Sequence, residues 1–173
     1  SMLLIGRDND DRLHVEREWY KTQQLEADTI AKVKEWNERF EPEAFIVDPS
    51  AAGFIEAIRA EGIHVVAANN AVFDGIQRVQ GSLRVQEDGA SLTVDPRCEN
   101  LIREFESYEW LKSSGGLTDK PRKENDHAMD SLRYALMYLG GIGIGVTLDV
   151  FDSTTGKELA DIEYHFEDED DDE

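Results

Sequence analysis

The sequence predicts an α/β fold with a mixed β-sheet flanked by helices, on three observations. Short apolar runs alternate with amphipathic helical segments through the middle of the chain. The first 20 residues are typical of two strands joined by a short turn, which adds an antiparallel pair to the sheet. The chain has 173 residues, which is enough for one domain with its own core.

The first half supplies the opening strand pair and then alternating helices and strands. The turn at Asn9-Asp10-Asp11 separates the first two strands, and Gly62 ends the second helix. The strand that ends at Asp48-Pro49 is a short apolar run, as expected of a buried strand. The predicted elements are strands at 2–8, 12–20, 44–50 and 64–69, and helices at 24–40, 53–62 and 71–80.

The second half adds a hairpin, two helices and a C-terminal extension. Asp88-Gly89 is typical of a hairpin turn. The last helix begins at Asn125, which is a good N-cap, and ends at a glycine pair. The predicted elements are a hairpin at 82–94, a helix at 98–110, a loop at 113–125 and a helix from 125 to 140. We expect one domain over 1–141, an appended hairpin over 142–166 and an acidic tail over 167–173.

Composition excludes several classes of protein. Hydrophobic residues make up 40% of the chain, yet no apolar run approaches the roughly 18 residues of a membrane span. The single cysteine, Cys98, excludes an internal disulfide framework and a cysteine-built zinc site. The net charge of −20 disfavours a general nucleic-acid-binding surface, so any DNA contact must be local or assisted by metal ions or another domain.

Asp48 is the first candidate site residue. It ends a predicted buried strand, and sites in open α/β sheets form at the carboxyl ends of strands. The alternative is structural: Asp48 could cap the helix that begins near Ala52.

The start of the last helix is the second candidate site. An acid in the first turn favours the helix dipole, which explains Asp126 in structural terms. Asp130 lies one turn further on, on the same face as His127, where a carboxylate at the edge of a core needs a partner or a cation. The alternative for Asp130 is a surface ion pair with Arg133, three residues later.

Brought together, these acids would suit a metal-dependent hydrolase. Aspartate oxygens are hard ligands for Mg²⁺ or Mn²⁺, and two such ions can activate water against a phosphodiester. His127 would then be a ligand, an orienting group or a proton carrier. Lys120, Arg122 and Lys123 precede the helix and would suit phosphate oxygens, although ordinary solvation explains them as well.

Four segments together resemble a known family. They are FIVDPSAAGFIEAIRAEGIHV, NNAVFDGIQRVQ, CENLIREFESYEW and KPRKENDHAMDSLRY. Their order and spacing over about residues 3–139 resemble the nuclease domain of the large terminase subunit of tailed bacteriophages. The resemblance implies an RNase H-like fold that cuts concatemeric phage DNA with two divalent cations.

Carried over by position, the resemblance implies that Asp48 and Asp130 are metal-binding acids, with His127 near the metals and Asp126 a further match. The family's first strand carries another metal-binding Asp, and this chain apparently lacks that strand. The metal site would then lack a ligand and the sheet a central strand. The segment GVTLDVFD could fill the gap and offers Asp149.

These observations lead to a metal-dependent endonuclease acting on double-stranded DNA in the cytoplasm of the bacterial host of a phage or prophage. The implied partners are the terminase ATPase domain, the portal and the small terminase subunit. The absence of a P-loop agrees with an ATPase on another domain. The alternatives are a catalytically incomplete RNase H-like docking module and another RNase H-like enzyme such as a resolvase or transposase.

Overall fold

Helices flank several short sheets in the residues that the computed structural model describes, which are 1–87, 89–108, 110–113, 116–121, 126–140, 150–151 and 158–159. The strands are Met2–Arg7 (β1), Leu13–Trp19 (β2), Phe45–Val47 (β3), Val65–Ala67 (β4), Leu92–Val94 (β5), Trp110–Ser113 (β6), Gly116–Pro121 (β7), Val150–Phe151 (β8) and Glu158–Leu159 (β9). The helices are Glu26–Phe40 (α1), Ala52–Ala60 (α2), Val72–Leu83 (α3), Glu99–Ser107 (α4) and His127–Gly140 (α5).

The predicted mixed sheet is confirmed. β1 pairs antiparallel with β2 through the predicted turn, and β2 pairs in parallel with β5 in the order β1-β2-β5. β3 and β4 form a second, parallel pair. Parallel pairing needs a crossover, and α2 supplies it between β3 and β4.

The predicted hairpin at 82–94 is wrong. Residues 82 and 83 belong to α3, and β5 pairs with β2 instead of with the preceding segment. The turn sequence leaves only an isolated bridge between Gln86 and Gly89. Leu92 is 1% exposed in the core, so burial beside β2 outweighs the local turn preference.

The predicted loop at 113–125 is also wrong in part. β6 and β7 are antiparallel strands that cover residues 110–113 and 116–121, and the predicted helix at 98–110 ends earlier, at Ser107. Their sequence lacks the apolar alternation that marks a half-buried strand, so pattern alone could not reveal them.

Two apolar clusters lie on opposite faces of β1. Leu3 and Ile5 pack in the cluster that includes Leu132 and Leu136 of α5. Met2 packs in the other cluster, with Val33 of α1 and residues of α2 and β4. α5 therefore covers one face of β1, and Met2 contacts the second cluster on the other.

The C-terminal extension is described only at β8 and β9, which pair antiparallel. Most of the predicted hairpin at 142–166, and all of the tail at 167–173, lie outside the described residues. The division into domain, hairpin and tail stays a prediction. None of the described helices is long and apolar enough to cross a membrane.

Candidate functional site

A cavity of about 640 Å³ separates β1 from β3. Within the described residues, β1 hydrogen-bonds to β2 and β3 to β4, while β1 and β3 do not pair with each other. Residues of both strands line the cavity, and α1 and α5 supply further walls. Asp48, His127 and Asp130 all line it, so the structure brings three of the predicted site residues to one space.

Asp48 directly follows β3, and its carboxylate has partners on both sides. Its Oδ1 accepts a hydrogen bond of 2.8 Å from the backbone N–H of Ser50, and its Oδ2 accepts one of 2.8 Å from the hydroxyl of Tyr134. α2 begins after Ala51, and no side chain caps its first turn. The side chain of Asp48 is therefore bound to the segment that leads into α2, at the N–H of Ser50.

Asp130 lies in the first turn of α5 and forms an ion pair with Arg133. The pair is not the exposed one that sequence spacing suggested, because the side chain of Arg133 is 4% exposed whereas that of Asp130 is 30% exposed. Arg133 passes close to Gly75 of α3, where a Cβ would come within 3.2 Å of it. The buried guanidinium therefore holds the Asp130 carboxylate at the cavity wall.

The hydroxyl of Tyr134 donates a hydrogen bond to Asp48 and is also influenced by the charge of Asp130. Burial raises the pKa of Tyr134, and the hydrogen bond to Asp48 and the negative charges of Asp130 and Asp48 raise it further. Both carboxylates thus favour the protonated form of one hydroxyl, which donates a hydrogen bond to Asp48.

His127 and Asp126 lie on different sides of the start of α5. His127 is exposed at the cavity, and its ring centroid lies 6.4 Å from that of Tyr20. Asp126 is buried just before the helix and does not line this cavity. Burial is the main cause that raises the pKa values of Tyr20 and Tyr108, and the charge of Asp126 adds a smaller contribution to both.

Sequence reasoning missed Glu104, a carboxylate that is 2% exposed. It accepts hydrogen bonds from the backbone N–H groups of Ala128 and Met129, at 2.8 and 2.9 Å, and from the hydroxyl of Tyr20, at 2.8 Å. Glu104 therefore caps α5 from α4 and holds the turn that carries Asp130. Its position within the amphipathic pattern of α4 was the available signal, since an acid among core positions needs donors.

The predicted phosphate-binding cations are not described by the structure. Lys120 lies on β7, where the backbone alone is described, and Arg122 and Lys123 lie outside the described residues. Their role stays a prediction.

The donor set suits a hard divalent cation but is incomplete in the described part of the chain. Asp48 and Asp130 offer carboxylate oxygens, which Mg²⁺ and Mn²⁺ prefer. No group of three His, Cys, Asp or Glu side chains among the described residues is placed to hold a metal ion. The two acids therefore fit as part of a ligand set.

Comparison with known structures decides the fold. Two structures of the large terminase from a thermophilic bacteriophage, one with ATP-gamma-S, match with a TM-score of 0.68 at 30 and 31% sequence identity. The matches cover 78% of this chain but only 35% of the length of that large terminase. The nuclease domain of the g2p large terminase from bacteriophage SPP1, with bound Mn, matches with a TM-score of 0.58 at 23% identity, covering 77% of this chain and 75% of that one.

This chain has the fold of a large-terminase nuclease domain. The RNase H-like fold that the sequence resemblance implied is thereby confirmed. No family model matches the chain. No curated protein matches it either.

Proposed function

We propose that this chain is the metal-dependent endonuclease domain of a phage DNA-packaging terminase, which hydrolyses phosphodiester bonds of concatemeric double-stranded DNA. The observation that carries the proposal is the cavity that Asp48 and Asp130 both line, on a fold shared with a terminase nuclease domain that has bound Mn. We further propose two Mg²⁺ or Mn²⁺ ions as cofactors. The ATPase domain, the portal and the small terminase subunit are the proposed partners, in the cytoplasm of the bacterial host.

The proposed roles follow from where each residue lies. Bound divalent ions would supply Lewis acidity toward water and the phosphodiester. Asp48 and Asp130 would hold them, oriented by Tyr134 and Arg133 respectively. His127, exposed at the same cavity, would accept or deliver a proton near the scissile bond.

The basic segment before α5 would position the DNA. Lys120, Arg122 and Lys123 precede the helix that carries His127 and Asp130. Contacts from these cations to phosphates would offset locally the repulsion from a chain of net charge −20.

Plasmid cleavage in Mn²⁺, with EDTA as the metal-free control, tests the proposal. We expect Asp48→Ala and Asp130→Ala each to lower the cutting rate by about 100-fold or more, since loss of even an outer partner of a metal site costs about 10–100-fold. Asp74→Ala removes an exposed acid in the first turn of α3 and should cut at the unaltered rate. Normal cutting by either site variant would refute the site assignment.

A second candidate function is a docking module that is catalytically incomplete. It is favoured by the absence of a three-residue metal group among the described side chains. The same assay separates the two: metal-dependent nicking that is lost in Asp130→Ala supports the nuclease, and an unaltered chain that never nicks supports the docking module. Preference for branched DNA would indicate a resolvase-like enzyme instead.

A further inference from the structure

A second groove lies between β2 and the C-terminal half of α1, and it gathers four cations in a chain whose net charge is −20. Its volume is about 220 Å³. This is smaller than the roughly 300 Å³ at which pockets for whole small molecules begin, so the groove suits a compact group that belongs to a larger partner. The cations that line it are Arg17, Lys32, Arg39 and Arg97.

Two of these cations are already neutralised by neighbouring carboxylates. Lys32 lies 2.7 Å from Glu35, and Arg97 lies 2.7 Å from Asp95. Glu18, which also lines the groove, is occupied as well, because it accepts hydrogen bonds from three N–H groups at the start of α4. The other two cations are therefore the ones that a partner can use.

Arg17 and Arg39 are these two cations, and both lie over the ring of Phe40. Their Cζ atoms lie 5.4 and 5.1 Å from the ring centroid. Neither guanidinium forms an ion pair with a carboxylate within the described part of the chain. A guanidinium that lies over a ring keeps the N–H donors at its edge, and these donors match phosphate oxygens. Two like charges against one ring also repel each other, so an anion that both contact would relieve the repulsion.

Arg17 reaches the groove because β2 carries a bulge. The pairing with β1 shifts so that Ile5 is opposite Val15 and Leu4 is opposite Arg17, which leaves Glu16 as the extra residue. Without the bulge, Arg17 would share the side of Val15, two residues earlier. Val15 packs in the core beside α5, whereas Arg17 lines the groove beside α1. The bulge therefore places a cation in the groove instead of the core.

The groove is adjacent to the candidate cleavage cavity. Trp36 lines both spaces. Trp19 of the groove is opposite Met2, which lines the cavity, and adjacent strands lie about 4.8 Å apart. The hydroxyl of Ser1, just before Met2, donates a hydrogen bond to the carbonyl of His127 at the start of α5. The Trp19 end of the groove is therefore one strand away from the end of the cavity at which α5 begins.

We propose that this groove binds phosphate groups of the DNA backbone outside the cleavage site, with Arg17 and Arg39 as the contacting residues. The choice of DNA rests on the proposed function, because the cavity beside the groove is where a strand would be cut. Duplex DNA carries one negative charge per about 1.7 Å of its axis, so a duplex that reaches the cavity brings further phosphates to its flanks. Contacts of this kind position the duplex and do not read its sequence.

Binding of a fluorescent duplex of about 20 base pairs in EDTA tests the groove without metal or cleavage. We expect the double variant Arg17→Gln, Arg39→Gln to bind about tenfold more weakly at about 50 mM salt. The slope of log K against log salt should fall by about two, one for each lost phosphate contact. Lys34→Gln, Arg59→Gln is the matched control, because it removes the same charge from exposed ion pairs outside the groove and should leave the slope unchanged.

Two outcomes of this titration would overturn the proposal. One is an unaltered chain that does not bind the duplex. The other is a salt slope that is the same in the groove variant and the unaltered protein.

A variant that should strengthen binding guards against a loss of folding. Glu16 lines the groove and forms no ion pair within the described residues, so its charge opposes a phosphate. Glu16→Gln should bind the duplex about threefold more tightly than Glu38→Gln, which removes the same charge from an exposed position of α1 outside the groove. Equal affinities of these two variants would contradict a phosphate in the groove.

An acidic peptide is the other ligand that paired guanidiniums suit, so a fluorescent decaglutamate peptide is titrated in parallel. It should bind at least about tenfold more weakly than the duplex, whose charge density is higher. Tighter binding of the peptide that is lost in Arg17→Gln, Arg39→Gln would overturn the assignment to DNA.

Plasmid cleavage in Mn²⁺ separates the groove from the proposed function. A chain that binds DNA through Arg17 and Arg39 but never cuts it would refute the nuclease and leave the groove standing. A chain that cuts, with DNA affinity unchanged in the groove variant, would refute the groove and leave the nuclease standing.

Discussion

Each candidate acid at the cavity has a different kind of partner on α5. Asp48 accepts a hydrogen bond from the neutral hydroxyl of Tyr134, whereas Asp130 forms an ion pair with the buried guanidinium of Arg133. A neutral donor orients a carboxylate without cancelling its charge, while a cation lowers its negative potential. Tyr134 and Arg133 therefore orient the two carboxylates by different means, a hydrogen bond from a neutral hydroxyl and an ion pair.

Removing the hydroxyl from Tyr134 should cost stability at the site. We expect Tyr134→Phe to lower the free energy of unfolding by about 1 kcal/mol, because Asp48 loses a donor in a partly buried environment. Tyr138→Phe is the matched control one turn later: its partner Glu43 is exposed, so the loss should stay below about 0.5 kcal/mol.

The midpoints of urea unfolding, analysed with a common m-value, give the change in the free energy of unfolding for both variants. Equal losses in the two variants would show that the Tyr134–Asp48 bond adds nothing to an ordinary surface contact. A larger loss at Tyr138 would contradict the expectation that the partly buried bond to Asp48 stabilises the fold more than the exposed bond to Glu43.

Secondary-structure elements were predictable where burial follows a local period. β1, β2, α1 and α5 agree with their predicted ranges to within two residues because each carries a regular apolar pattern. β5 was assigned to a hairpin because its partner β2 lies nearly 80 residues earlier, and no local pattern reveals a distant parallel neighbour. β6 and β7 were missed because their backbone pairing needs no apolar alternation.

The residues of the candidate site also differ in how far the sequence could reveal them. The placement of Asp48 and Asp130 at one cavity could be anticipated because each lies near the end of an element, where sites form in α/β folds. The pattern of α4 indicates that Glu104 is buried and needs donors, but not which donors, because these come from a turn 24 residues later. A gap in the sheet was expected from the family resemblance, and among the described residues β1 and β3 line one cavity without pairing with each other.

The capping of α5 by Glu104 is an interaction between two helices that can be tested. Glu104→Gln preserves the size of the side chain but replaces an ionised acceptor, so two backbone N–H groups and the Tyr20 hydroxyl lose a charged partner. We expect a loss of about 2 kcal/mol in the free energy of unfolding. Glu106→Gln, an exposed position on the same helix, should change it by less than about 0.5 kcal/mol.

Amide exchange shows where that loss acts. In Glu104→Gln, the amides of Ala128 and Met129 should exchange faster than those in the middle of α5, because the first turn opens while the core contacts of Leu132 and Leu136 persist. Uniform acceleration along α5 would indicate general destabilisation instead of a lost cap.

The negative charge of the molecule is unevenly distributed along the chain, and its distribution affects binding to DNA. The net charge is −20, and residues 167–173 are all acidic, so seven of those charges lie in the tail. Like charges in a short run repel each other and the DNA backbone alike. The tail should therefore oppose DNA binding while adding little to the stability of the fold.

Deleting residues 167–173 should tighten binding to a DNA duplex by roughly threefold or more at low salt, with the free energy of unfolding changed by less than about 0.5 kcal/mol. The difference should shrink as salt rises, because the screening length falls to about 8 Å at 0.15 M. Fluorescence anisotropy across a salt series measures this. A tail of the same length made of serine and glutamine separates charge from bulk: it should bind like the deletion. If it binds like the acidic tail, the effect is steric and the electrostatic argument fails.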